Sequence, residues 1–291
     1  MAELQLSPII AGAWRLAEWQ FSLDQRLAWI EGCLARGLSS FDHADIYGGY
    51  QAEALFGEAL AQQPALRDQM QLVSKCGIKL VGPARPAHGF KSYDTSAAHI
   101  TASVENSLRA LRTDRLDLLL IHRPDALMDA DEVAQTFEQL RRDGKVLHFG
   151  VSNFTPQQFE LLHSRIPLVT NQVECSPLHL APLHDGTLDQ AQRLRLRPMI
   201  WSPLAGGRLF NADTESAHRV RWVMGEIGAR LGLSTTTLAL AWLLRLPSQP
   251  LPVIGSRRLE AAEEAMAATR LHLSREDWTR IWAASTGHDV P

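Results

Sequence analysis

Four residues of this chain are of types that move protons, and each stands where an apolar run gives way to polar sequence. Asp42 follows Leu38-Ser39-Ser40-Phe41, and Tyr47 lies five residues further on, directly before Gly48-Gly49. Lys75 closes the run that begins at Met70, and His122 follows the run Leu116 to Ile121. A carboxylate, a phenol, an ammonium and an imidazole in one pocket could perform general acid–base chemistry. The same set could use Lys75 as a Schiff-base nucleophile. Asp42 argues against the second, because a carboxylate beside the amine keeps it protonated and dull. Singly, each residue has a structural explanation: Asp42 as a cap, Lys75 as a solvated strand-end lysine, His122 as a satisfied core histidine. Jointly these explanations fail, since apolar strands have no need to end in Asp, Lys and His one after another.

Eight short apolar runs must position these residues: Pro8–Trp14, Leu38–Phe41, Met70–Ser74, Leu116–Ile121, Val146–Val151, Leu168–Val173, Pro198–Trp201 and Leu251–Ile254. Most are continuous rather than alternating, the pattern of parallel strands covered on both faces. Amphipathic stretches separate them. Leu23–Arg36 carries Leu27, Ile30 and Leu34 at helical spacing and stops at Gly37. Ala97–Arg112 places Ile100, Val104, Leu108 and Leu111 on one stripe. Thr155-Pro156 opens a helix with a cap and a proline in the first turn. Further helices are expected near 51–62, 131–142, 188–194, 216–231, 235–246, 259–268 and 275–284, with Trp222, Trp242, Trp278 and Trp282 as core or interface residues.

Strands alternating with helices predict an α/β fold, a (β/α)8 TIM barrel with extra helices before and after the last strand. One domain over residues 1–291 is expected, because barrels of this length are single units. An open doubly wound sheet fits less well, since no Gly-x-Gly-x-x-Gly opens a helix after an early strand. A net charge of −3 without a basic block gives no electrostatic case for nucleic acid or an anionic membrane surface. No apolar run approaches the ~20 residues of a membrane span. Met1-Ala2-Glu3-Leu4 lacks the character of a signal peptide. Cys33, Cys76 and Cys175 form neither a disulfide framework nor a zinc pattern, so a reduced, cytoplasmic setting is expected. The sequence shows no heptad seam.

The later strand ends carry Gly150-Val151-Ser152-Asn153-Phe154, Asn171-Gln172-Val173-Glu174, Trp201-Ser202-Pro203-Leu204 and Ile254-Gly255-Ser256. Together with Asp42 to Tyr47, Val73-Ser74-Lys75 and Leu119-Leu120-Ile121-His122, in that order, the chain resembles the aldo-keto reductase family from about Pro8 to its end. Asp42 to Tyr50 and Leu246 to Pro252 look closest to a bacterial, YdhF-type branch of that family.

The resemblance implies a monomer or weak homo-oligomer and hydride transfer from NADP(H), with NAD(H) as the alternative, to a small-molecule aldehyde or ketone. Tyr47 would protonate the nascent alkoxide, and Lys75 would lower the pKa of that phenol. Asp42 would hold Lys75, and His122 would align the carbonyl. Ser152, Asn153 and Gln172 would contact the nicotinamide carboxamide, and Trp201 would stack on its ring. Ser202, Leu204, Gly206 and Arg208 would approach the pyrophosphate. Gly255, Ser256, Arg257, Arg258 and Glu264 would take the far end of the cofactor, the arginines suiting a 2′-phosphate. Gly255, Ala261 and Ala265 depart from the lysine, arginine and asparagine commoner in the family. Trp14, Tyr50, Cys76 and Ile78, with the loop Val81–Tyr93, are expected to line the substrate side. With Asp42 and His122 so employed, no metal site is expected from Asp42, His43, Asp45 and His122. A second reading keeps the same residues in a cofactor-sensing binding module with little turnover.

Overall fold

A computed structural model of the chain describes residues 4–289. The chain runs through β1 (Ile10–Gly12), α1 (Leu23–Ala35), β2 (Ser40–Asp42), α2 (Ala52–Leu60) and β3 (Gln71–Cys76). A small antiparallel pair follows, β4 (Ile78–Lys79) with β5 (Ser92–Tyr93). Then come α3 (Ala97–Leu111), β6 (Leu116–Ile121), α4 (Ala130–Arg142), β7 (Val146–Ser152), α5 (Pro156–His163), β8 (Asn171–Glu174), α6 (Thr187–Leu194) and β9 (Met199–Trp201). The chain finishes with α7 (Arg208–Asn211), α8 (Glu215–Leu231), α9 (Thr235–Leu244), β10 (Leu251–Ile254), α10 (Leu259–Ala268) and α11 (Arg275–Thr286).

Every strand except β4 and β5 pairs in parallel, closing a barrel in the order β1-β10-β9-β8-β7-β6-β3-β2. These are the eight runs read from the sequence, and the barrel is the expected one. Its extra helices α8 and α9 before the last strand and α11 after it also lie where the sequence placed them, whereas the single-turn α7 falls where a loop was expected. The segment expected as a plain loop after the third barrel strand differs. Its end, Ser92–Tyr93, folds back and pairs with Ile78–Lys79.

Two apolar layers follow from the alternation of side chains along each strand. Ile10, Val73, Leu118, Leu120, Met199, Leu251 and Val253 point inward and plug the barrel. Phe41, Leu72, Cys76, Leu119 and Ile121 point outward and pack under the helices. The register pairs Asp42 with Val73, so Lys75, two residues on, projects inward just above the level of Asp42. Capping boxes at Ser22/Gln25 and Thr155/Gln158 start α1 and α5 on hydrogen bonds from their own side chains.

On the outside, Trp242 of α9 and Trp278 of α11 stack with ring centroids 5.0 Å apart, and each indole N–H donates to the other residue's carbonyl. Trp222 does not share this role, being 65% exposed on α8. No single helix among the described residues is long and apolar enough to cross a membrane.

Helices α2 and α3 approach closely at Gly57, where an added Cβ would run into the Ala110 carbonyl oxygen and the Leu111 backbone. Helix propensity favours alanine there, but backbone cannot yield as a side chain can. Gly57→Ala is therefore expected to destabilise the fold by about 1–3 kcal/mol, as overpacking does. Urea unfolding of the two proteins checks the sign.

Candidate active site

At the C-terminal mouth of the barrel, Lys75 spends all three ammonium hydrogens on protein acceptors. Nζ donates to Asp42 Oδ2 at 2.7 Å, to the His43 carbonyl at 2.8 Å and to Tyr47 Oη at 3.0 Å. The Lys75 side chain is 0% exposed. The other Asp42 oxygen accepts from Gln172 Nε2 at 2.9 Å. Neighbouring backbone fixes the segment that carries these groups: His43 N donates to Val73 O and Asp45 N to Lys75 O. Gly48 and Gly49, with φ of 59° and 63°, then turn the chain into α2 in a conformation that side chains resist.

A second hydrogen-bonded series joins the other strand ends. Trp201 Nε1 donates to Asn153 Oδ1 at 3.0 Å, and Asn153 Nδ2 donates to Ser152 Oγ at 2.7 Å. Ser152 Oγ donates to the Gln172 carbonyl at 2.9 Å. Through Gln172 this series meets Asp42, so β7, β8 and β9 are tied to the Lys75 centre.

Burial pushes the Tyr47 phenol above its ordinary pKa; the nearby Lys75 cation opposes this without reversing it. That corrects the expectation that Lys75 would set a net lowering: removal from water outweighs the cation. Burial alone would lower the Lys75 ammonium, but Asp42 and Tyr47 facing it carry its pKa upward, so it stays charged. His122 stands edge-on to the Tyr47 ring, centroids 5.9 Å apart. Burial, with the Lys75 and Arg123 cations, holds its pKa well below the usual range, so the ring is neutral. His122 Nδ1 is buried without a partner, whereas Nε2 is not, which leaves Nε2 at the cleft surface.

Above these groups opens a cleft of about 1280 Å³. That exceeds the roughly 300–1,000 Å³ of an ordinary small-ligand pocket and suits an elongated molecule beside a small one. Asp42, Tyr47, His122 and Gln172 face it, as do the N-terminus of α9 at Ser234–Thr236 and Arg258 before α10. No group of three or more His, Cys, Asp or Glu side chains among the described residues is placed to hold a metal ion.

The aldo/keto reductase family model matches residues 8–286. The chain belongs to that family. It is 53% identical to oxidoreductase YdhF of Escherichia coli strain K12, covering 99% of this chain and 96% of that protein. It is 42% identical to 6-dehydroglucose reductase of Agrobacterium fabrum strain C58, covering 99% and 97%. Among solved structures, an aldo/keto reductase from Klebsiella pneumoniae in complex with NADP and acetate superposes with a TM-score of 0.78. The two are 26% identical, over 95% of this chain and 90% of that one. The chain is thus an NAD(P)H-dependent oxidoreductase.

In this aldo/keto reductase the residues singled out from sequence fall into two groups. Trp14, Ile78, Ser152, Asn153, Trp201, Ser202, Leu204 and Gly206 face the cleft, as do Gly255, Ser256, Arg258 and Glu264. Gln172 faces it too, with one amide N–H donated to Asp42. Four others do not line it. Cys76 points outward beneath the helices, because it follows the inward-facing Lys75 on the same strand. Tyr50 accepts a hydrogen bond from Leu80 N at 2.8 Å and lies under the Arg85 guanidinium, anchoring the β4–β5 hairpin. Arg208 turns to Glu174 at 3.1 Å. Arg257 lies outside the cleft lining, where Arg258 is present. Sequence reasoning passed over Arg15, Arg123 and Ser234–Thr236, which all line the cleft, and reached Lys91 only as part of the loop Val81–Tyr93. Arg123 directly follows His122, and Ser234 caps a helix N-terminus; both positions were readable signals.

Behind the site, Asp45 and Glu53 form a buried acid pair. Burial, reinforced by the Glu53 carboxyl, pushes Asp45 up to about 8. Glu53 is raised by burial while accepting from Ser74 Oγ at 2.6 Å.

Two stability tests follow from these electrostatics. Asp42→Asn leaves a buried ammonium unmatched and is expected to cost about 3–5 kcal/mol, part of which returns in Asp42→Asn/Lys75→Met; urea unfolding of both decides it. Asp45 keeps its proton in the native state up to about pH 8, whereas an unfolded aspartate loses it near ~4. The native state therefore binds more protons across that window, and stability drops as pH rises through it. Asp45→Asn lacks this proton, so its melting temperature is expected to gain on that of the parent between about pH 5 and about pH 8.

Proposed function

We propose that the protein reduces aldehyde and ketone carbonyls to alcohols, with NADPH as hydride source and Tyr47 as proton donor. The observation that carries this reading is the Tyr47 hydroxyl resting 3.0 Å from a buried, permanently charged lysine at the floor of a long cleft. The residues present fit a nicotinamide dinucleotide. Trp201 offers a ring face, Asn153 and Ser152 offer amide and hydroxyl groups, and the N-termini of α9 and α10, with Arg258, suit phosphates. The bound cofactor supplies a hydride to the carbonyl carbon.

The protein's own part concerns the carbonyl oxygen. A neutral His122 donates from Nε2 and holds that oxygen toward Tyr47. As alkoxide character develops, the Tyr47 proton passes from Oη to it, an alkoxide being a stronger base than a phenolate. The raised pKa of Tyr47 keeps it protonated, ready as an acid. Lys75 stays charged against Asp42 and stabilises the phenolate left behind. The name of the Agrobacterium relative supports the reductive direction and a hydroxylated carbonyl compound. Three buried, unpaired thiols, Cys33, Cys76 and Cys175, support a reducing, cytoplasmic setting.

Oxidation of NADPH and of NADH, side by side, against aldehydes, ketones and quinones tests the proposal. Tyr47→Phe is expected to lower kcat by about 10²–10⁴, the usual worth of a general acid, while cofactor binding persists. Unimpaired reduction by Tyr47→Phe would remove the proposed donor. Tight cofactor binding without turnover of any carbonyl would make the chain a sensing module instead.

A further inference from the structure

Three cations that face the cleft, Arg123, Lys91 and Arg258, have no side-chain hydrogen-bond or ion-pair partner among the described residues, and of these Arg258 is the one proposed above for the cofactor's phosphates. Arg123 lies at the end of β6 beside His122, half-buried and lining the cleft. Its guanidinium sits over the face of Trp201 at 5.7 Å, with no hydrogen-bond or ion-pair partner among the described residues. Lys91, at the entry to β5, lines the same cleft and is likewise without a partner among them. Other cations nearby are matched: Lys79 by Asp94 at 3.4 Å and Arg208 by Glu174 at 3.1 Å. The carboxylate closest to Arg123 in sequence, Asp125, is turned away, accepting from Thr95 Oγ1 at 3.0 Å and Leu127 N at 2.9 Å.

A guanidinium drawn partly out of water without an anion is costly, and a carboxylate or phosphate is the partner its planar fork fits best. The cofactor's phosphates are proposed at the opposite end, near Arg258 and the N-termini of α9 and α10, which leaves Arg123 to the substrate. Arg123 directly follows His122 in the chain and lines the same end of the cleft, beside the place proposed for the reacting carbonyl.

We propose that the substrate carries an oxyanion within a few bonds of its carbonyl, paired by Arg123, with Lys91 drawing it in at the mouth. The inference rests on the reductase reading and narrows it to carboxylated or phosphorylated carbonyl compounds.

Matched substrate pairs test it: succinic semialdehyde against butanal, and glyceraldehyde 3-phosphate against glyceraldehyde, with NADPH. For at least one pair the anionic member is expected to have the higher kcat/KM by about tenfold or more, the worth of a charged hydrogen bond. Which pair responds identifies carboxylate or phosphate as the source. The preference is expected to shrink with added salt, to fall toward unity in Arg123→Met whatever happens to the absolute rates, and to survive in part in Arg123→Lys. Equal use of both members, or a preference untouched by Arg123→Met, overturns the inference and leaves the reductase reading standing. So does an Arg123→Met defect confined to NADPH binding. No turnover of any of the four compounds while other carbonyls of the panel are reduced overturns this inference alone; no turnover of any carbonyl overturns the reductase reading with it.

Discussion

A charged lysine buried without any exposure is the constraint on which the rest of the site depends. An ammonium can stay charged away from water only if every hydrogen finds an acceptor and an opposite charge lies close. Lys75 meets both conditions with Asp42, the His43 carbonyl and Tyr47. Each demand fixes something else. The Asp42–Val73 register sets the height at which Lys75 enters the barrel, and the chain after β2 must bend so that its carbonyl and phenol reach the same nitrogen. The inward plug of aliphatic side chains below supplies the dry floor that makes the pair strong.

Asp42 has a second obligation, to Gln172, and through it the geometry spreads across the barrel. Trp201, Asn153, Ser152 and Gln172 form one hydrogen-bonded series ending at Asp42. The residues proposed to grip the nicotinamide are therefore the same residues that orient the carboxylate behind the proton donor. Binding and chemistry share a single rigid scaffold, and rigidity of this kind is how an enzyme pre-organises a site.

The barrel was legible because its strands are continuous apolar runs and its helices carry clear stripes and caps. The four polar residues at strand ends were legible because Asp, Lys and His have no business there otherwise. What the sequence hid was direction and competition. Cys76 adjoins Lys75 in the chain, yet alternation sends the two to opposite faces, and no motif states which face is which. Tyr50 looked like a wall residue but answers a backbone N–H on the following hairpin. Arg208 found Glu174, a pairing set by how β8 and the turn after β9 lie together. For Tyr47, the sequence shows the cation but not the depth of burial, and burial wins. Gly57, read simply as part of a helix, is there because another helix's backbone passes too close for any side chain.

The stacked tryptophans described on the outer face give the end of the chain a part in the cleft. Trp242 belongs to the helix whose first residues, Ser234–Thr236, look into the cofactor end of the groove. Trp278 belongs to the last helix, and the two are locked by a ring stack and two reciprocal hydrogen bonds. Helix α11 thus acts as a buttress: none of its residues lines the cleft, but it holds the aim of the α9 amide groups proposed to meet the cofactor. Sequence drift in that helix, far from any catalytic group, has a mechanical route to the affinity of the cofactor, and a lineage could retune one by altering the other.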